Sequence, residues 1–115
     1  MSPVDVSRTV PVASGEDFDR WLGANDGRER EVVVEIFNRA SGRQTVGLVA
    51  LQEVALCHGW VDTQTKRIDE QRYAIRFVPR RPRSHWSEKN REMARRMLED
   101  GRMTKAGAAT LPANL

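Results

Sequence analysis

The stretch from Leu48 to His58 constrains the fold more than any other part of the sequence. It is apolar except for Gln52, Glu53 and His58, and it is long enough for about three turns of α-helix. A helix that is apolar on almost every side must be buried among other elements, so we expect it to be the central helix of the domain. Gly59 follows directly and is the residue type expected where a helix closes.

After Gly59 the spacing of apolar residues changes from helical to alternating. Residues 60–65 and 72–78 are therefore predicted strands, and apolar side chains alternate with arginines along the second of them. The β-branched run Val32–Phe37 predicts a further, central strand. Residues 6–12 also alternate, but Pro11 limits them to an edge strand or an extended arm.

Two further helices are predicted from their first residues. Ser14 is a suitable N-cap, and Phe18, Trp21 and Leu22 then form one apolar face that ends at residues 25–27. Ser87 is the N-cap of the second helix, which runs to Asp100. Its predicted buried stripe consists of Met93, Ala94, Met97 and Leu98.

These elements predict a single α+β domain over residues 1–115, with a small antiparallel sheet of three to four strands packed against about three helices. Residues 1–13 would form the arm or edge strand and residues 108–115 a frayed tail. Apolar residues make up 39% of the 115, which excludes a membrane protein and a fully disordered chain. No membrane span or targeting segment is visible, so we expect a cytoplasmic protein.

The cysteine and histidine content limits the chemistry. Cys57 is the only cysteine, and with His58 and His85 it provides neither a disulfide framework nor a zinc tetrad, so we expect no structural metal site. Side chains at successive helical positions point about 100° apart, so Cys57 and His58 do not face each other as a catalytic pair. We expect a buried, structural cysteine.

Charge is distributed unevenly along the chain. Residues 1–60 carry 6 Arg against 9 Asp and Glu, a net charge of −3, whereas residues 61–115 carry 13 Lys and Arg against 7 Asp and Glu, a net charge of +6. The segment from Arg76 to Ser87 concentrates arginines before a helix N-terminus, a combination that favours anion binding. The candidate binding residues there are Arg76, Arg80, Arg81, Arg83 and Trp86. Alternatively, these arginines pair with the acidic half and stabilise the fold.

A second candidate is a small polar pocket near Trp60 and Asp62, which share one face of a predicted strand. His58 and Asp62 are the plausible proton-transfer groups if the protein is an enzyme. The opposing interpretation is that Trp60 is part of the core and that Asp62 caps a turn or pairs with a nearby arginine. Arg76 is the arginine that the strand pattern places as a possible partner of Asp62.

Several motifs together resemble the bacterial YdeI/OmpD-associated family, also described as bacteriocin-protection proteins. They are ALCHGWVD at residues 55–62, RFVPRRPRSHWS at residues 76–87, Asn90, GRM at residues 101–103, AG at residues 106–107 and FDRWL at residues 18–22. Thr63 replaces a glycine common in the family, and Gly47 replaces a threonine. The chain resembles a short member that lacks the family's C-terminal region.

The resemblance implies an α+β fold, no known cofactor and no established catalytic residue, and it adds Asn90 to the candidate binding residues. Protection against cationic peptides would favour contact through the acidic half, at Glu16, Asp17, Asp19, Asp26, Glu29 and Glu31. The function expected first is therefore a non-enzymatic stress or protection accessory protein that binds an anionic ligand or a protein partner. Nucleic-acid binding through the basic half is the alternative, and a small enzyme comes third. The oligomeric state stays open.

Overall fold

A computed structural model describes residues 4–25 and 27–115 of the protein. In chain order the elements are β1 (Val10–Pro11), α1 (Gly15–Asn25), β2 (Val32–Phe37), a 3₁₀ turn (Arg39–Ser41), α2 (Leu48–Cys57), β3 (Trp60–Arg67), β4 (Arg72–Pro79), α3 (Glu88–Glu99) and α4 (Lys105–Ala108). Asp26, expected in the turn that ends the first helix, lies outside the described residues. The expected α+β class is confirmed.

The four strands form one sheet in the order β1-β2-β4-β3. Strands β2, β4 and β3 are antiparallel neighbours, whereas β1 is parallel to β2, with Val10 opposite Val34. The sheet is therefore mixed: the expected antiparallel pairing holds for β2, β4 and β3 but does not extend to β1 at this edge. The reason is that α1 lies between β1 and β2 and returns the chain to the starting end of the sheet, as a crossover helix does.

The helix α2 is the central helix, as its sequence predicts, and it contacts α1, β3, α3 and α4. One face of the sheet packs against α1 and α2, and the rings of Phe18 and Phe77 meet there with centroids 4.8 Å apart. The largest fully buried side chains of this core are Phe18, Leu22, Val34, Ile36, Leu51, Ile75 and Phe77. Gly59 has a φ of +81°, so the chain leaves α2 through a left-handed residue and enters β3 directly.

A second core lies where α3 packs against α2. It contains Leu56, Cys57, Trp86, Met93, Ala94 and Met97. Leu98, predicted as part of the buried stripe, is 45% exposed instead. The contact with α2 covers only a narrow stripe of α3, and Leu98 lies beyond its edge. Leu111 and Leu115 pack against this core, so residues 108–115 lie on the domain rather than extending from it.

The helix α4 is joined tightly to the end of α2. The backbone N and the side-chain Oγ1 of Thr104 both donate to the carbonyl oxygen of Cys57, at 3.0 and 2.6 Å. Gly107 packs against the same carbonyl group. These contacts fix α4 beside Gly59, which places α4 next to the end of β4, where the candidate site begins.

Candidate anion-binding site

The arginine of β4, Arg76, is bonded within the sheet. Its Nε and Nη2 donate to Glu31 Oε2 at 3.2 and 2.9 Å, and its Nη1 donates to Thr63 Oγ1 at 3.2 Å. The expected pairing of Arg76 with Asp62 is wrong. Asp62 lies opposite Phe77 in the sheet, so it faces the helices, whereas Arg76 points to the opposite face. Arg76 therefore stabilises the fold.

Arg80 directly follows the C-terminal end of the central strand β4 and organises the loop that comes next. Its backbone N donates to the carbonyl of Gly59 at 2.8 Å. Its guanidinium lies over the ring of Trp86, with Cζ 3.9 Å from the centroid, a cation–π contact. Its Nη1 donates to Ser84 Oγ at 3.2 Å and to the carbonyl of His85 at 3.4 Å. Arg80 thus holds the loop against the start of α3.

The charge of Arg80 has no counter-ion within 4.0 Å among the described residues. Its Nε is buried without a hydrogen-bond acceptor there, and its Nη2 donates no hydrogen bond to any described group. Burial lowers the pKa of Arg80, and the nearby negative charge of Asp62 opposes this shift. A buried donor without an acceptor costs about 1–3 kcal/mol. The Arg80 guanidinium thus lacks both a counter-ion and an acceptor for its Nε among the described residues.

Residues 81–84, which we call the arginine turn, project beyond Arg80. The N–H of Ser84 donates to the carbonyl of Arg81 at 3.1 Å, which closes a β-turn. Pro82 is its second residue, and Arg83 has a φ of +60° at the third, the pattern of a type II turn. That position usually holds glycine, because a positive φ costs a residue with a Cβ about 1 kcal/mol.

Arg81 and Arg83 are both exposed, unlike Arg80. Neither side chain has an ion pair or hydrogen bond with any group in the described part of the chain. Arg83, the residue with the strained positive φ, thus has a guanidinium that is exposed to solvent. Arg81 and Arg83 are the sequence-predicted candidates whose charges are free to meet a partner.

Trp86 and Asn90 lie where the arginine turn meets α3. Trp86 is 8% exposed and belongs to the second core, so it supports Arg80 rather than offering a free ring face. Ser87 caps α3 by accepting from the backbone N of Asn90 at 3.1 Å, as its sequence position predicts. The side chain of Asn90 is half-buried. Neither residue therefore offers a freely exposed side chain to a partner.

The residues proposed for a small polar pocket are engaged separately. Trp60 is buried and packs edge-on against Trp21, with centroids 6.0 Å apart. Both carboxylate oxygens of Asp62 accept from Gln52 Nε2, at 3.4 and 3.3 Å. His58 Nε2 lies 2.7 Å from Asp19 Oδ1. The structure therefore gives His58 and Asp62 different partners instead of joining them in a proton-transfer pair.

Cys57 is buried, and this burial raises the pKa of its thiol. Both observations agree with the structural role expected from the sequence. Within residues 4–25 and 27–115, no group of three His, Cys, Asp or Glu side chains is placed to hold a metal ion. In the same part of the chain, no helix is long and apolar enough to cross a membrane.

A groove of about 370 Å³ beside Arg80 includes Trp60 and His58 of the predicted pocket, whereas Asp62 is not among its lining residues. Residues from four separate segments line it, among them Arg30, His58, Thr110 and Arg80. Arg30 precedes β2 and is exposed, whereas the ring of His58 is largely covered. No local pattern marks Arg30 or Thr110, because both come from segments distant in the sequence from His58 and Arg80.

One family model, described as "Domain of unknown function (DUF8412)", matches residues 10–110. This match extends over most of the 115 residues. The chain belongs to the DUF8412 family. The matched region of this DUF8412 protein contains the arginine turn, the groove beside Arg80 and the contact between α4 and α2. Neither the curated proteins nor the solved structures include a significant match to the chain.

Proposed function

We propose that the protein is a non-enzymatic, cytoplasmic accessory protein that binds an anionic partner through the arginine turn. The observation that carries this proposal is the contrast among its arginines. Arg72 and Arg76 pair with carboxylates in or next to the sheet, whereas Arg81 and Arg83 are exposed and have no ion pair among the described residues. Forked guanidinium groups match carboxylate and phosphate oxygens in two-point contacts.

The shape of the loop supports binding by a preformed surface. Pro82 fixes one backbone angle of the turn, and the stacking of Arg80 on Trp86 holds the base of the loop. A loop already held in its binding conformation loses less conformational entropy when a partner docks. Arg81, Pro82 and Arg83 are all exposed, so the arginine turn suits the surface of a macromolecule better than an enclosed small ion.

The first test replaces both exposed arginines, as Arg81→Ala together with Arg83→Ala. The matched control is Arg39→Ala with Lys66→Ala, which removes the same charge from exposed positions at the opposite end of the sheet. Poly-glutamate, duplex DNA and single-stranded RNA serve as probes. We expect the first double variant to lose at least about tenfold in affinity for the probe that binds. Equal losses in the two variants would show only a general effect of net charge.

Nucleic acid is the second candidate partner, and the net charge of +6 over residues 61–115 favours it. Binding to DNA or RNA would weaken steeply between about 50 and 200 mM salt, because each neutralised phosphate releases counter-ions. If Arg81 and Arg83 both contact phosphates, their removal should reduce the salt slope by about two. A slope that the double variant leaves unchanged would assign the phosphate contacts to other residues.

We also propose kinship with the YdeI/OmpD-associated proteins and a role in protection from antimicrobial peptides. The motifs that support this kinship include the whole segment from Arg76 to Ser87. Any contact with a cationic peptide would use acidic residues, of which Asp19 and Glu31 already pair with His58 and Arg76. Survival of peptide-treated bacteria that express the protein, compared with bacteria that express the Arg81→Ala/Arg83→Ala variant, tests whether protection depends on the arginine turn.

A further inference from the structure

The groove beside Arg80 is separate from the arginine turn and lies at a junction of four segments. His58 and Trp60 contribute to it from the connection between α2 and β3, and Arg80 from the end of β4. Thr110 follows α4, and Arg30 belongs to the segment before β2. A volume of about 370 Å³ is within the range of small-molecule sites, about 300–1,000 Å³, and is too small for a macromolecule.

We propose that this groove binds a small molecule through a carboxylate or phosphate group, with Arg80 and Arg30 as the donors. The proposal goes beyond the function proposed above and does not depend on it, because it uses a concave surface and different side chains. The shared chemistry of the ligand is an oxyanion that accepts hydrogen bonds from guanidinium groups.

The unused edge of the Arg80 guanidinium is the first observation. In Arg72 and Arg76 the edge formed by Nε and Nη2 donates to a carboxylate, Asp69 in one case and Glu31 in the other. In Arg80 only Nη1 donates, to Ser84 and His85. The equivalent edge of Arg80 has no acceptor among the described residues, and its Nε is buried.

The charges around the groove are the second observation. Arg30 and Arg80 both line the groove, and no described carboxylate is within ion-pair distance of either side chain. His58 faces the groove but already pairs with Asp19. Glu29 is the one acidic residue among the described groove residues and would repel a second negative charge. These charges favour a ligand with a single anionic group.

The rest of the lining fits the uncharged part of such a ligand. Trp60, Pro79 and Ala106 provide apolar walls, and Thr110 contributes a hydroxyl group whose proton is donated to the carbonyl of Gly107. The hydroxyl oxygen of Thr110 therefore keeps its acceptor lone pairs. A small organic acid or phosphate ester would place its oxyanion at the arginines and its carbon skeleton along these walls.

Nuclear magnetic resonance titration with inorganic phosphate and with acetate tests the proposal. We expect both the backbone amides of Gly59 and Thr110 and the side-chain Nε–H signals of Arg30 and Arg80 to shift with one common dissociation constant, below about 20 mM. Tighter binding of phosphate would indicate a phosphate ester as the ligand, and tighter binding of acetate would indicate a carboxylic acid. No shifts at these positions with either anion would overturn the proposal.

Two variants separate a binding role from a structural one. Arg80→Lys keeps the charge but loses the forked edge, and we expect it to weaken anion binding about tenfold. Because Arg80 also stacks on Trp86, Arg30→Ala is the second variant, and it removes an exposed side chain that makes no bond to a described residue. We expect Arg30→Ala to weaken binding by about threefold, and Arg39→Ala to leave it unchanged.

The same titration keeps the two proposals distinguishable. The Arg81→Ala/Arg83→Ala variant should bind phosphate or acetate in the groove as the unaltered protein does, even if it no longer binds a macromolecular probe. Shifts confined to Arg81 and Arg83 would overturn the groove site and support the arginine turn. Unchanged affinity in both Arg80→Lys and Arg30→Ala would also overturn it.

Discussion

Gly107→Ala adds only one methyl group, yet we expect it to destabilise the fold strongly. A Cβ at position 107 would overlap the carbonyl oxygen of Cys57, and it would lie 2.5 Å from the carbonyl carbon and 2.9 Å from Met103 Sδ. The first two obstacles are backbone atoms at the end of α2, which cannot rotate away. The added methyl group therefore has to move α4 away from α2.

Three effects set the magnitude. Alanine is favoured over glycine within a helix by about 1 kcal/mol, which stabilises the variant. Overpacking in a tight contact costs about 1–3 kcal/mol. Moving α4 also weakens the two hydrogen bonds from Thr104 to the Cys57 carbonyl, each contributing about 1 kcal/mol. If both hydrogen bonds are lost, the expected net loss is about 2–4 kcal/mol in the free energy of unfolding, or roughly 10–15 °C in Tm for a domain of this length.

Urea and thermal unfolding followed by circular dichroism measure this loss. Gly23→Ala is the matched control, because Gly23 lies in α1 and a Cβ there meets nothing within 4 Å. The control should gain about 0.5–1 kcal/mol from helix propensity alone. A stability of Gly107→Ala within about 0.5 kcal/mol of the unaltered protein would show that α4 accepts the added methyl group without moving away from α2.

Three further predictions concern single side chains and one ion pair. Because burial raises the pKa of Cys57, its thiol should react slowly with Ellman's reagent at about pH 8 until urea unfolds the chain, and fast reaction of the native protein would contradict this. Hydrogen bonding from Arg72 lowers the pKa of Asp69. Asp69 therefore stabilises the fold at pH values above its unfolded pKa, and this stabilisation is lost as the pH falls through its folded pKa. Asp69→Asn should lower Tm at about pH 7 but not at about pH 2. A double-mutant cycle on Arg76 and Glu31 should give a coupling below about 1 kcal/mol, because Glu31 is half-exposed, and a value above about 2 kcal/mol would show a stronger pair than this exposure allows.

The elements that could be predicted from the sequence are those set by neighbours along the chain. The Ser87 cap and the Gly59 closure both depend on hydrogen bonds or backbone angles within a few residues. The central position of α2 follows from its being apolar on almost every side, although Leu48 and Val49 in its first turn are exposed. The limits of β3 and β4 differ from the predicted ones by no more than two residues.

The features that could not be predicted depend on residues distant in the sequence. Arg76 and Glu31 are 45 positions apart, and nothing near either residue indicates the other. The parallel pairing of β1 depends on the path of α1 across the sheet. Leu98 has the same apolar character as Met97, and only the width of the contact between α3 and α2 leaves it exposed.

Arg80 and Arg81 are neighbours in the sequence, so the two proposed sites adjoin each other. They can bind one anion together or two ligands independently. Arg80 belongs to the groove, and Arg81 begins the arginine turn, so one extended anion could contact both. In that case the effects of Arg30→Ala and of Arg81→Ala/Arg83→Ala on the affinity for one probe would be non-additive, because residues that share a ligand are coupled. Two independent ligands would instead give additive effects within about 0.5 kcal/mol. The net charge of the segment is the same whether it forms one continuous binding surface or part of two sites. The additivity of the effects of the two variants on affinity therefore distinguishes these cases.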